Sequence, residues 1–349
     1  MYYNEDSPFG RDSYRDLMCK DARRSFSRFH LGIFAYVASA YVIGILAELI
    51  LVLLFRDSYE SIVTSLPYRW IMGVAPMYLV GLPILYLIVK SMPKGRLEKS
   101  KLSLGEFLIF FAIAQALMLV GNSIGTTLND FFGALRGDEI SNSTSELIES
   151  SPLWVTLIVA VIIGPIVEEF IFRKLMIDRL SRFGAWPAIL ISGFSFGLFH
   201  GNFYQFFYAA MLGVLLAFIT VKTGNWIYSV IMHITINFFG SVAVMPIIDV
   251  INEFTAALEN AAAGESIDMQ SFVIGALTVM SYSIVQYAVS IAGIVLLILA
   301  VKNKWFKIKS TAEANLPREN VFSVVFFNVG MIIFFVTSMI LFAVSILLG

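Results

Sequence analysis

Residues 153–172 read LWVTLIVAVIIGPIVEEFIF, and Arg173 follows. A helix needs about 20 mainly apolar residues to cross the hydrocarbon core of a bilayer, and this stretch has that length. It nevertheless carries two adjacent carboxylates, Glu168 and Glu169, near its end. Charge inside a membrane helix is expensive and marks a functional residue by default. The reading of the whole chain turns on this one segment: a membrane protein, and one with chemistry inside it.

The composition agrees. Of the 349 residues, 58% are hydrophobic and only 14% charged, and the mean hydropathy is +0.81. A soluble domain carries about 25% charged residues, so a soluble single domain is excluded. A disordered chain, which needs low hydrophobicity, is excluded too. The net charge of −1 supplies no basic field for nucleic acid. A single cysteine, Cys19, leaves no internal disulfide framework and no cysteine-based metal cluster.

The fold class is therefore all-α, a polytopic transmembrane bundle of eight or nine spans. The candidates are 31–55, 70–90, 104–122, 153–172, 186–200, 204–221, 226–246, 272–301 and 322–348. The span 186–200 is short, and 104–122 begins with Glu106 and contains Gln115. Residues 1–30 are polar, without the apolar core of a signal peptide, and read as a cytoplasmic tail, mobile to about Asp16. Residues 31–349 read as one membrane domain. Three basic residues, Arg56, Arg69 and Arg136, fall on one side of a nine-span layout. All the other lysines and arginines fall in 1–30, 90–101, 173–182, Lys222 and 302–318. The positive-inside rule then places the N-terminus in the cytoplasm and the C-terminus outside. Segments 123–152 and 247–271 read as acidic outer loops, the first with a sequon at Asn142.

Glu48, Glu168, Glu169 and His233 fall inside spans, and His200 closes one. Glu48 is alone and reads as a protonated or snorkelling carboxyl facing another helix. His30, among Arg23, Arg24 and Arg28, reads as an interfacial residue without chemistry. Glu169 and Arg173 are four apart and share a helix face. Glu168 points about 100° away. One carboxylate can thus be held by Arg173 while the other faces a cavity. Phe196 and His200 are again four apart, as are His233 and Asn237. Any one of these pairs is compatible with packing between helices. Two of three histidines, the Glu-Glu pair and Asn237, all on three spans between Glu168 and Asn237, are harder to explain that way. Ser195 faces away from the His200 stripe, and Cys19 lies in the polar tail, so neither is the preferred nucleophile.

The three pieces Glu168-Glu169-x-x-x-Arg173, Phe196-x-x-x-His200 and His233-x-x-x-Asn237 resemble the motifs of the CPBP intramembrane protease family. That family includes CAAX-processing endopeptidases, bacteriocin-processing and bacteriocin-immunity proteins, and the Abi domain. The resemblance covers about 150–245. It implies an intramembrane endopeptidase with Glu168 as general base, Glu169 and Arg173 shaping its neighbourhood, and His200 helping to activate water. His233 and Asn237 would stabilise the oxyanion. The chemistry is self-consistent: hydrolysis needs an activated water and donors aimed at the developing oxyanion.

No cofactor is needed in this reading. The alternative is a Zn²⁺ ion held by Glu168, His200 and His233 with an open position for water. Against it, the ligands are spread over three helices without HExxH spacing. The implied partners are a peptide or membrane-anchored protein substrate and the lipid bilayer, with no nucleic acid; the implied place is a bacterial plasma membrane. The alternative function is a non-catalytic immunity or scaffold protein that keeps the motifs. One difficulty stands. Counted from Phe172, Glu168 lies about one turn inside its span, and His233 lies about two turns from Trp226. His200 lies roughly 20 Å from Trp186. For one site to hold all three, helix 186–200 must begin deep in the protein or be broken around a cavity.

Overall fold

The computed structural model describes residues 10–264, 266, 268–308 and 315–348. Among them the chain is helical throughout, with no strand. In chain order the helices are α1 (Gly10–Leu54), α2 (Leu66–Val89), α3 (Leu104–Arg136), α4 (Leu153–Phe183), α5 (Ala185–Phe199), α6 (Phe203–Thr223), α7 (Ile227–Ala262) and α8 (Met269–Lys302). A short α9 (Arg318–Phe326) precedes α10 (Val329–Leu348). Eight are long and apolar enough to cross a membrane; α5, with 15 residues, is the short one. The protein is a multi-pass integral membrane protein.

The contacts at the helix ends sort the chain into two faces. On one face Arg182 pairs with Asp21 at 3.1 Å. There too Gly95 N–H donates to Asp178 O, Ser100 N–H to Thr223 O and Leu316 N–H to Phe183 O. The basic segments of the sequence meet here. On the opposite face Trp70 donates to Ser151, Tyr204 to the carbonyl of Ile140 and Arg136 to the carbonyl of Ile346. Helix α5 therefore leaves the basic face and α6 returns to it. Counting α5, whose 15 residues make about 22 Å, these contacts among the described residues run nine helices up and down between the two faces.

Small residues let α5 and α6 approach this closely. A Cβ on Gly213 would stand 2.9 Å from the Gly193 Cα, and one on Gly193 would stand 2.5 Å from the Val214 nitrogen. Either would force the backbones apart. The α6 turn at the basic face ends on Gly224, whose φ of +62° suits glycine and whose missing Cβ leaves room for the Glu98 carbonyl.

Several expectations from the sequence need correction. The segment 1–30 is not a separate tail: from Gly10 it belongs to α1, and Met18, Ala22, Phe26 and Phe29 are buried. Residues 1–9 lie outside the described residues. His30 is not interfacial but fully buried: its Nδ1 donates to Phe26 O at 2.7 Å, and its Nε2 accepts from Ser195 Oγ at 2.9 Å. Glu48 is exposed on α1, with Tyr68 of α2 in electrostatic reach. The acidic segments are largely helix rather than loop. Helix α3 runs on to Arg136 because Asn129 satisfies itself on Gly125 O and Gly137 caps the end at φ +85°. Asn142 caps a further short helix, Ser143–Glu149.

Candidate active site

The depth difficulty disappears once α4 is seen whole. It does not end at Phe172 but continues, buried, to Phe183. Glu168 stands as far along the chain from Phe183 as His200 does from Ala185. At about 1.5 Å per residue both stand about 22 Å from the basic face. Helix α5 is unbroken and begins at that face, so neither remedy expected from the sequence is used. Trp226, at the start of α7, packs edge-on against Phe170 at 6.0 Å, so His233 arrives two turns later beside Glu169.

Around Glu168 and Glu169 the helix is locally widened. Residues Thr156–Ile163 and Phe170–Ile177 make π-type turns on either side of Gly164–Glu169. Such turns cluster at functional positions because they rotate side chains out of α-helical register. The two carboxylates take different surroundings. Glu169 Oε2 lies 3.1 Å from Arg173 Nε, and both side chains are fully buried. The Glu168 side chain keeps 22% of its surface exposed. Arg173 also donates from Nη2 to Gly213 O at 3.3 Å, and its guanidinium lies 4.6 Å above the Phe196 ring. A carbonyl and an aromatic face back the pair, while Arg173 Nε and Nη1 and Glu169 Oε2 make no hydrogen bond among the described residues, so the two charges balance by proximity.

His233 joins the two glutamates. Its Nδ1 lies 3.0 Å from Glu169 Oε1, and its Nε2 lies 3.7 Å from Glu168 Oε2. Carboxylates accept, so Nδ1 carries the proton and Nε2 faces Glu168. The second approach is longer than a hydrogen bond. His200 donates from Nδ1 to Phe196 O at 2.7 Å, which leaves its Nε2 unprotonated when the ring is neutral. The Phe196 ring is edge-on to both imidazoles, 4.9 Å from His200 and 5.7 Å from His233. His200 is in electrostatic reach of Glu168, His233 and Arg173. Asn237 stands differently. One amide N–H goes to Ala160 O at 3.0 Å, tying α7 to α4 two turns before Glu168, so only its second N–H is left to donate.

Three tyrosines from other helices were missed by the sequence reading. Tyr36 on α1, Tyr78 on α2 and Tyr208 on α6 each interact electrostatically with Glu168. The Tyr78 hydroxyl lies 3.7 Å from where a Cβ on Gly164 would be, one turn before Glu168 on the same face. No local pattern marks these residues, because each is a single polar group on an otherwise ordinary helix. Among the described residues no three His, Cys, Asp or Glu side chains stand together as ligands. His233 Nδ1 is held by Glu169, and its Nε2 is the ring nitrogen that faces Glu168.

Fold and site together define a multi-pass helical membrane protein with a buried Glu–Arg–His cluster at mid-depth. Residues 150–239, which contain all seven motif residues, match the family model described as type II CAAX prenyl endopeptidase Rce1-like. The resemblance read from the three motifs agrees with this match: residues 150–239 are similar to the Rce1-like CAAX prenyl endopeptidases. Among curated proteins it is similar to "Putative membrane peptidase YdiL" of Bacillus subtilis (strain 168), 28% identical over 165 residues, covering 46% of this chain and 67% of that one. It is also similar to human "CAAX prenyl protease 2", 31% identical over 104 residues, covering 24% of this chain and 32% of that one. The matched part is thus about a third of the human relative's length. No solved structure matches. These matches support a membrane endopeptidase.

Proposed function

We propose that the chain is an intramembrane endopeptidase that hydrolyses a peptide bond with a water activated by side chains. The observation that carries the reading is the bridging of His233. Glu169 holds Nδ1 and so directs Nε2 at Glu168, the more exposed carboxylate of the pair. In this reading a water sits between Glu168 and the Nε2 atoms of His233 and His200. Glu168 takes its proton as the oxygen attacks the scissile carbonyl. His233 takes up a second proton on Nε2 from solvent before the reaction, its charge balanced by Glu169, and donates from Nε2 to the developing oxyanion together with the free N–H of Asn237. Glu168 then returns the proton to the leaving amine. No step is routed through a metal.

Substrate, cofactor state and location belong to the same proposal: a peptide or membrane-anchored protein cleaved at mid-depth, no resident metal, and a bacterial plasma membrane. Arg173, walled in by Glu169, Gly213 O and Phe196, has a structural share in the site and does not meet the substrate.

The test is a comparison of membrane proteomes from cells expressing the chain or its Glu168→Gln variant. New C-terminal or juxtamembrane fragments should appear with the first and vanish with the second. A purified chain that produces such fragments in the presence of a strong chelator supports side-chain activation of water. Fragments that persist in the variant, or cleavage that is lost to chelator and restored by Zn²⁺ alone, overturn the reading.

A further inference from the structure

At the basic face, away from the site just described, α3, α6 and α8 line a half-open cavity of about 360 Å³. Its walls are apolar: Phe110 and Ile113 on α3, Ala300 on α8, and Trp305 and Phe306 just beyond it. A volume of this order is that of a small ligand site. Glu106 and Lys222 stand at the rim, 2.8 Å apart, and the Lys222 ammonium lies 5.3 Å from the Phe110 ring centroid.

The cavity is built by a costly turn. Helix α8 ends with Trp305 N–H on Ala300 O and Lys304 N–H on Val301 O. That pair of bonds closes a helix through a left-handed residue, a place usually taken by glycine. Here it is Lys304, at φ +58°. A lysine held in that conformation is strained. The turn brings Trp305 and Phe306 back over the opening. Phe306 reaches the Phe218 ring edge-on at 5.0 Å, and Phe218 in turn contacts Phe110 at 5.9 Å. The wall is therefore anchored to the core of α6.

Charge decides what such a cavity takes. Lys302, Lys304 and Lys307 are exposed on and beside the turn, and Lys101 is exposed just before α3. Glu106, the acidic group at the rim, is already satisfied by Lys222, Ser103 Oγ and the Ser103 N–H. An apolar slot beneath a cationic rim, at the face where a membrane meets water, is complementary to an anion with a hydrocarbon tail. A soluble anion has no use for the aromatic walls, and a neutral lipid has none for the lysines. We infer that this cavity binds an anionic phospholipid, with an acyl chain between α3 and α8 and the phosphate against Lys222 and the Lys302–Lys307 turn. The inference is independent of the proposed catalysis.

Trp305 is its own reporter. A chain with Trp70, Trp154, Trp186 and Trp226 changed to Phe is placed in mixed micelles and titrated with bromine-labelled phosphatidylglycerol or phosphatidylcholine. Phosphatidylglycerol should quench Trp305 at a mole fraction roughly tenfold lower than phosphatidylcholine. The preference should vanish when Lys302, Lys304 and Lys307 are changed to Gln. Ala300→Leu, which fills the slot, should abolish close-range quenching by both lipids. Native mass spectrometry of the unaltered chain serves if the four-Phe chain does not fold. It should show one phosphatidylglycerol retained in preference to phosphatidylcholine, and lost in the triple Gln variant. Equal quenching or retention of the two lipids, or a phosphatidylglycerol preference that survives both sets of substitutions, overturns the inference.

Discussion

His233 Nδ1 and Glu169 Oε1 lie 3.0 Å apart inside the bundle, and that bond decides which ring nitrogen meets Glu168. A histidine whose tautomer is set by a buried carboxylate is oriented before any substrate arrives. The carboxylate is in turn held by Arg173, and Arg173 by Gly213 O and the Phe196 face. The three helices that carry the motifs are thereby locked to a fourth, α6.

The two glutamates should part in their mutational effects. Glu169→Gln leaves the Arg173 guanidinium buried without a counter-charge, and breaking one partner of a buried pair costs about 3–5 kcal/mol. Glu168→Gln removes a partly exposed carboxylate that lies 3.7 Å from its neighbour, so unfolding in detergent should barely change. Its cleavage activity should fall by roughly 10²–10⁴-fold, the usual share of a general base. Thermal unfolding and fragment formation, measured side by side, separate the two. Equal losses of stability would show that Glu168 is also a packing residue.

Ser195 immediately precedes the motif residue Phe196, and the structure gives it another employment. It donates to His30 Nε2 from α5 to α1, and both side chains are fully buried. Ser195→Ala should leave His30 Nε2 without its donor, at about 1–3 kcal/mol of stability. Cleavage by the folded fraction should continue at its former rate. A rate that collapses while the fold survives would return a serine mechanism to consideration.

How much of this was visible in the sequence depends on the range of the interaction. The pairing of Glu169 with Arg173 and the divergence of Glu168 follow from the helical repeat of about 3.6 residues per turn, so they were readable from spacing alone. The end of α4 was not. Arg173 and Arg179 look like the edge of a span, yet both are buried, Arg173 beside Glu169 and Gly213 O and Arg179 on Val89 O and Leu175 O. Charge read as exposure therefore ended the helix at Phe172 instead of Phe183 and created a false difference in depth. His30 failed for the same reason: arginines beside it suggested an interface, while its partner Ser195 lies 165 residues away. Partners that distant leave no periodic trace.

Packing of α5 on α6 sets the depth of His200, so it should be sensitive to one methyl group or a few. Gly193→Val adds a branched side chain where the first carbon already meets the Val214 nitrogen at 2.5 Å. Forcing atoms into a filled interface costs about 1–3 kcal/mol, and a backbone neighbour cannot rotate away. The variant should unfold at lower temperature and lose cleavage as His200 is displaced from Glu168. Gly44→Ala, where nothing lies within 4 Å, is the matched control and should do neither.

The nine-fold order predicts which residues share a side of the membrane. Lys94 lies beside the Gly95–Asp178 contact on the basic face, while Glu139 and Leu347 lie beside the Arg136–Ile346 contact on the other. All three are exposed. In a Cys19→Ser background, a single cysteine at Glu139 or at Leu347 should react with a membrane-impermeant thiol reagent from one side of sealed cells. A single cysteine at Lys94 should react only after the cells are opened, the result the positive-inside rule expects for the basic face. The result at Leu347 bears on α5. If that short helix did not carry the chain across, the order after it would be inverted, and Leu347 would label together with Lys94. Labelling of Leu347 with Glu139 therefore requires α5 to traverse the bilayer despite its length. A helix of about 22 Å can do so only where other helices rather than lipid surround it. The fully buried Ala188, Ile189, Ile191 and Ser192 put α5 in that position.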